Sequence, residues 1–179
     1  MILNERNCRN EHVINAAKQM MTAARTAPKG KGVDLIEIAI IDGNDINILS
    51  EKMLELQKEN GFKFFLRDAD NILNAECIML IGTREKEQGL NCGHCGFLTC
   101  ASRPEGVPCT LNSIDVGIAL GSACATASDL RLDTRIMFSA GLAAQRLNWL
   151  EGCKMIMAIP ISASSKNPFF DRKPKEQRK

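Results

Sequence analysis

Four cysteines, Cys92, Cys95, Cys100 and Cys109, fall within 18 residues at the spacing C-x2-C-x4-C-x8-C. Thiolates are soft ligands that suit zinc and iron–sulfur clusters, and a 4Fe–4S cluster takes four of them, one per iron. Gly93 and Gly96 flank Cys95. Glycines there free the backbone to curl and to aim amide N–H groups at sulfur, which tunes a reduction potential. Structural zinc sites also use four cysteines, usually as two separated C-x2-C knuckles. Here only one such knuckle exists, so the spacing favours the cluster, with zinc as the alternative. His94, between two of the candidate ligands, is expected to be exposed. The other four cysteines, Cys8, Cys77, Cys124 and Cys153, are scattered. Disulfide frameworks belong to small secreted domains, so the tight group is expected to be a metal site in a reducing compartment.

A second segment with chemical character is Arg25-Thr-Ala-Pro-Lys29-Gly-Lys31-Gly32. Its glycines expose backbone N–H groups, and Arg25, Lys29 and Lys31 add positive charge that suits an anion. It is not a nucleotide-triphosphate loop, because Gly32 follows Lys31 where Ser or Thr is required. A solvated turn is the plain alternative.

Charge narrows the partners. From Lys166 onward six basic residues face two acidic ones, Asp171 and Glu176, which leaves a body of 17 basic and 19 acidic side chains, net −2. Nucleic-acid binders carry a basic face on the folded part, so no nucleic acid is expected. No apolar run approaches the roughly 20 residues that span a bilayer, and the first residues lack a signal-peptide core. A cytoplasmic protein without a membrane partner is the expectation.

The elements that must position these groups read as one domain over 1–179, with a cysteine-rich insertion at 83–110 and a polar basic tail at 163–179. Apolar residues from Val13 to Ala24 recur at helical spacing, predicting a helix over 11–25 capped by Asn10. A strand is expected over 33–41, and a helix over 45–60 that stops at Gly61. A strand at 62–66, a short helix at 68–74 and a strand at 77–81 precede the insertion. A long helix over 113–130 carries Gly117, Gly121 and Ala125 on one face, for packing in the monomer or at a subunit interface. Strands at 134–138 and 153–159 around a helix at 140–147 complete an α+β sandwich rather than a doubly wound parallel sheet. With 7 Phe, 1 Trp and no Tyr, the core rests on Ile, Leu, Ala and Met.

Two resemblances follow from these residues. Cys-Gly-x-Cys-Gly-Phe-x-Thr-Cys with a later cysteine resembles the 4Fe–4S module of corrinoid iron–sulfur proteins, which implies a cluster on Cys92, Cys95, Cys100 and Cys109. The Ala-rich helix running into Ala-Arg-Thr-Ala-Pro, the small-residue helix with Leu-Arg-Leu-Asp-Thr-Arg-Ile and the strand ending Ile-Pro-Ile-Ser are similar to the FMN-dependent nitroreductases. With Ser162 to Arg172 added, the whole chain resembles a family of ferredoxin-domain proteins related to them. That resemblance implies a nitroreductase-like sandwich with a mixed sheet flanked by helices, a homodimer, FMN at the subunit boundary and a redox partner protein. It would put Arg25, Lys29 and Lys31 at the flavin phosphate and Lys166 beside it from the C-terminal side. Ser139, Ala140 and Gly141 would stand where the backbone approaches the ring. The implied activity is electron transfer from cluster to flavin to a small-molecule acceptor. The alternatives are a flavin-free electron-transfer module and a zinc-stabilised scaffold. The N-terminus offers only Arg6, Asn7 and Arg9 where nitroreductases carry Arg-Ser-x-Arg, and no Tyr is present to cover a flavin.

Overall fold

Helix α1 (Glu5–Thr26) begins where the Asn4 side chain accepts a hydrogen bond from the Arg6 N–H. Asn10 therefore lies inside the helix, not at its cap. The extra turn is polar all round and carries an Arg9–Glu5 ion pair at i,i+4, so it shows no apolar period. The structure, a computed structural model, describes residues 1–170. After α1 come β1 (Ile36–Asp42), α2 (Asn44–Asn60), α3 (Phe64–Ile72), β2 (Cys77–Arg84), α4 (Thr110–Asp129), β3 (Asp133–Thr134), α5 (Phe138–Arg146) and β4 (Cys153–Ser162).

The strands form one sheet in the order β1-β2-β4-β3, and every pairing is antiparallel where a mixed sheet was expected. Helices cover both faces. Because side chains alternate along a strand, Ile78 and Leu80 of β2 join the core made with α2, α3 and α5. Cys77, Met79 and Ile81 join the core made with α1 and α4. From Cys77 to Ile81 this strand is thus apolar and buried on both faces. Leu49 and Met53 are fully buried, and each such side chain contributes about 1.5–3 kcal/mol.

Residues 62–66 are not a strand. Phe65, Asp68, Ala69 and Ile72 are the buried residues of α3, the i, i+3, i+4, i+7 face of a helix. The three nearby Phe side chains masked that period. Phe62 and Phe64 stack at 5.4 Å, and Phe64 meets Phe138 of α5 at 5.3 Å. The strand expected at 134–138 shrinks to Asp133–Thr134 plus a single bridge from Met137 to Ala158, because Phe138 opens α5. Gly61 stops α2 with φ +74°, as a left-handed C-terminal glycine does.

On α4, Val116, Ala119, Leu120, Ala123 and Ala127 face the core. Gly117, Gly121 and Ala125 point away and are exposed, so they do not pack within the monomer. The basic tail expected from 163 is anchored where it is described. Phe169 is buried, and its carbonyl accepts from Asn71 Nδ2 (3.0 Å) and Arg135 Nη1 (2.9 Å). The rest, from Asp171, lies outside the described residues. Among the described residues no helix is long and apolar enough to cross a membrane.

Candidate metal centre

Between β2 and α4 runs a 25-residue segment, 85–109, whose regular structure is one 3-10 turn at Cys100–Ser102. It is held by polar contacts. Gln88 is buried; its Nε2 donates to Asn112 Oδ1 (2.8 Å), and its carbonyl accepts from Lys31 Nζ (2.9 Å). Asn112 Nδ2 in turn donates to the Lys86 carbonyl. Thr99 and Ser102 cap each other across the 3-10 turn.

This winding brings Cys92, Cys95, Cys100 and Cys109 to the lining of one cleft, with Glu87, Phe97 and Arg103 among its other walls. Gly93 and Gly96 have φ of +71° and +87°, the left-handed backbone that only glycine adopts at no steric cost. His94 is exposed and does not line the cleft. Among the described residues no three His, Cys, Asp or Glu side chains draw together as the shell of a metal ion.

Sequence reasoning passed over two residues of this cleft. Asn91, at φ +47°, donates its N–H to Cys100 Sγ (3.4 Å) while its Oδ1 accepts from the Cys100 N–H (2.8 Å). An Asn before a Cys-Gly knuckle, able to take a left-handed turn, was the available signal. Arg103 is the other. Its side chain is 10% exposed and stands 3.6 Å from Glu87, and nothing in Ala-Ser-Arg-Pro foretells that burial.

Cys109 precedes the first turn of α4. Partial burial pushes its thiol up, but N–H groups of Gln88, Asn112 and Leu111 at the sulfur, with the Arg103 charge, outweigh this and lower it below its usual range. A helix N-terminus favours thiolate for the same reason. The scattered cysteines behave oppositely. Burial, then Glu76 and Asp42, pushes Cys77 up to about 12, and burial also raises Cys124 and Cys153. Four cysteines line this cleft together with a buried cation, and backbone N–H groups meet the sulfurs of two of them, Cys100 and Cys109.

Most of the residues expected around a flavin are engaged within the chain itself. Arg25 Nη1 donates to Asp34 Oδ2 (2.7 Å) and to the Ile36 carbonyl (2.6 Å). Lys29 Nζ caps the end of α1, donating to the carbonyls of Ala24 (3.0 Å), Ala27 (2.7 Å) and Arg25. Lys31 is spent on the Gln88 carbonyl, and the Gly30 N–H points at Asp115 (3.0 Å). The loop is a brace between α1, α4 and the cysteine segment. Ser139 is fully buried and donates to Asp68 Oδ2 (2.6 Å). Ala140 is buried too, and a Cβ on Gly141 would lie 2.0 Å from the Ile156 carbonyl oxygen. That glycine lets α5 lie on β4. Lys166 is exposed.

Comparison with known proteins places this geometry. A nitroreductase with bound FMN from Desulfitobacterium hafniense superimposes with a TM-score of 0.59 at 14% identity, over 99% of this chain and 97% of that one. A nitroreductase with bound FMN from Bacteroides fragilis gives 0.59 at 11% identity, over 92% and 84%. These likenesses show the fold. An "Uncharacterized protein" of Archaeoglobus fulgidus is 41% identical over 186 residues, covering 98% of this chain and all of that one. Residues 105–172, which include Cys109, match the family described as "Uncharacterized protein containing a ferredoxin domain (DUF2148)". The chain belongs to that family of ferredoxin-domain proteins and has the nitroreductase-like α+β fold.

Proposed function

We propose that this is a redox protein whose 4Fe–4S cluster is held by Cys92, Cys95, Cys100 and Cys109 and passes electrons between partners. The observation that carries this reading is the convergence of all four cysteines on one cleft lined also by Arg103. Such a cluster supplies one-electron chemistry when bound. The chain's own part is to hold the ligands, screen them and tune them. Asn91 fixes Cys100 from both sides. The start of α4 stabilises the Cys109 thiolate, and Gln88 ties the segment to Asn112 and Lys31. Phe97 adds an apolar wall. No general acid or base is needed for electron transfer.

The test is chemical analysis of protein purified without oxygen. About four irons and four acid-labile sulfides per chain are expected, with broad visible absorption that dithionite bleaches. Stoichiometric zinc, with neither iron nor sulfide, would overturn the reading in favour of a zinc-stabilised scaffold.

A second reading adds FMN and a small-molecule acceptor, supported by the fold shared with FMN-bound nitroreductases. The commitment of Arg25, Lys29 and Lys31 to protein acceptors favours the flavin-free version. Flavin fluorescence from denatured pure protein separates the two. We further propose a homodimer through α4. Ile114 (47% exposed) and Ile118 (39%) flank the outward Gly117, Gly121 and Ala125, and a closed two-fold pair is the commonest soluble assembly. A monomer by light scattering at micromolar concentration would refute it.

A further inference from the structure

We propose that Arg103 is a positioning residue for the cluster, supplying the buried positive charge and the N–H donor that hold its reduction potential up. The inference rests on the cluster reading above and goes beyond it by assigning the residue that sets the potential. Arg103 follows the 3-10 turn, its N–H bonded to the Cys100 carbonyl (3.3 Å), so the backbone of one ligand fixes where its side chain starts. The side chain is 10% exposed, and Nε has no hydrogen-bond partner among the described residues. Its Nη2 stands 3.6 Å from Glu87 Oε2, and Glu87 is 48% exposed.

A buried guanidinium with an idle donor is costly unless negative charge lies close by. Glu87 is too far for a good hydrogen bond and is screened by solvent. Thiolate ligands of a bound cluster would supply that negative charge in the cleft. Arg103 shares that lining with all four cysteines. Reduction adds one electron, so the cluster and its thiolates become more negative. A fixed positive charge at short range, in a site of low dielectric, stabilises the reduced form more than the oxidised form. An N–H directed at sulfur acts in the same direction. Glu87, on the opposite side of the balance, lowers the potential.

The experiment uses the anaerobically purified holoprotein, titrated with dithionite and followed by electron paramagnetic resonance of the reduced cluster. Wild type is compared with Arg103→Met, Arg103→Lys and Glu87→Gln, with iron and sulfide measured in each sample. Arg103→Met is expected to shift the reduction equilibrium at least tenfold against reduction, about 59 mV for one electron. Arg103→Lys keeps the charge but loses the planar donor set, so its shift is smaller and in the same direction. Glu87→Gln is expected to shift the potential upward. Equal potentials for wild type and Arg103→Met at equal iron content would overturn the proposal. If Arg103→Met does not retain its cluster, Arg103→Lys and Glu87→Gln decide, and wild-type potentials in both would overturn it. Wild type without iron and sulfide would remove the cluster reading, and this proposal with it.

Discussion

The cysteine segment and the basic glycine loop were both candidates for binding a charged group, and the fold treats them in opposite ways. In the segment, four cysteines that are close in sequence come to line one cleft. In the loop, three cations that are closer still in sequence satisfy carbonyl and carboxylate groups of the chain itself. The difference is chemical. A thiol is a weak hydrogen-bond partner and stays available for a metal, whereas an ammonium or guanidinium takes the nearest backbone acceptor.

The largest effect separating the two regions is expected from Cys95→Ser, which removes one cluster ligand. Visible absorption and iron content should fall to near background, while Cys8→Ser, far from the cleft, leaves both at wild-type levels. Retention of a full cluster in Cys95→Ser would break the assignment. Next is Gly141→Ala. Its Cβ would stand 2.0 Å from the Ile156 carbonyl oxygen, so overpacking should cost about 3 kcal/mol by urea unfolding, with or without flavin. An unchanged midpoint would return Gly141 to a flavin-facing role.

A smaller effect is expected of Lys29→Ala. Losing its bonds to the last carbonyls of α1 should cost about 1 kcal/mol. If Lys29 instead held a flavin phosphate, FMN affinity measured by fluorescence would drop by about one to two decades. Lower stability with unchanged FMN binding upholds the contrast drawn here.

The smallest effect concerns pH. Partial burial pushes the Asp34 carboxyl up, but hydrogen bonds from Arg25 and the Ile36 N–H, with the Arg25 charge, outweigh this and lower it below the usual value. Because the folded value is depressed, its contribution is present above about pH 3.9 and is lost as pH falls through the folded value. Asp34→Asn should therefore be slightly less stable at neutral pH, the gap to wild type closing in strong acid. A gap that persists there would show that the pair does not titrate with folding.

Regular elements with a clear period were legible in the sequence. The α2 helix with its Gly61 stop, the apolar β2 strand and the long α4 helix each follow from local patterning. Three errors share a physical cause. The first turn of α1 is polar on all sides, so its helix was invisible until the Asn4 cap and the Arg9–Glu5 pair were seen. Residues 62–66 read as a strand because Phe62, Phe64, Phe65 and Leu66 make a short apolar stretch broken only by Lys63, yet the Phe rings stack around α3 and α5. Thr134 to Phe138 had strand character, but only Asp133–Thr134 and a single bridge at Met137 found partners in β4. Pairing and packing, not propensity, made those choices.

For function, the sequence by itself determined which four cysteines are the proposed ligands, because cysteines joined by short, glycine-bearing stretches are constrained to remain near one another. It likewise determined the outward glycine face of α4, since helical period carries Gly117, Gly121 and Ala125 together. Only the tertiary structure decided that Arg103 is buried beside the thiols, that Lys29 and Lys31 are already bonded, and that Ser139 and Gly141 serve the packing of α5. Those outcomes depend on partners distant in sequence, such as Gln88 for Lys31, Asp68 for Ser139 and Ile156 for Gly141, and a side chain's type does not reveal which distant group will satisfy it.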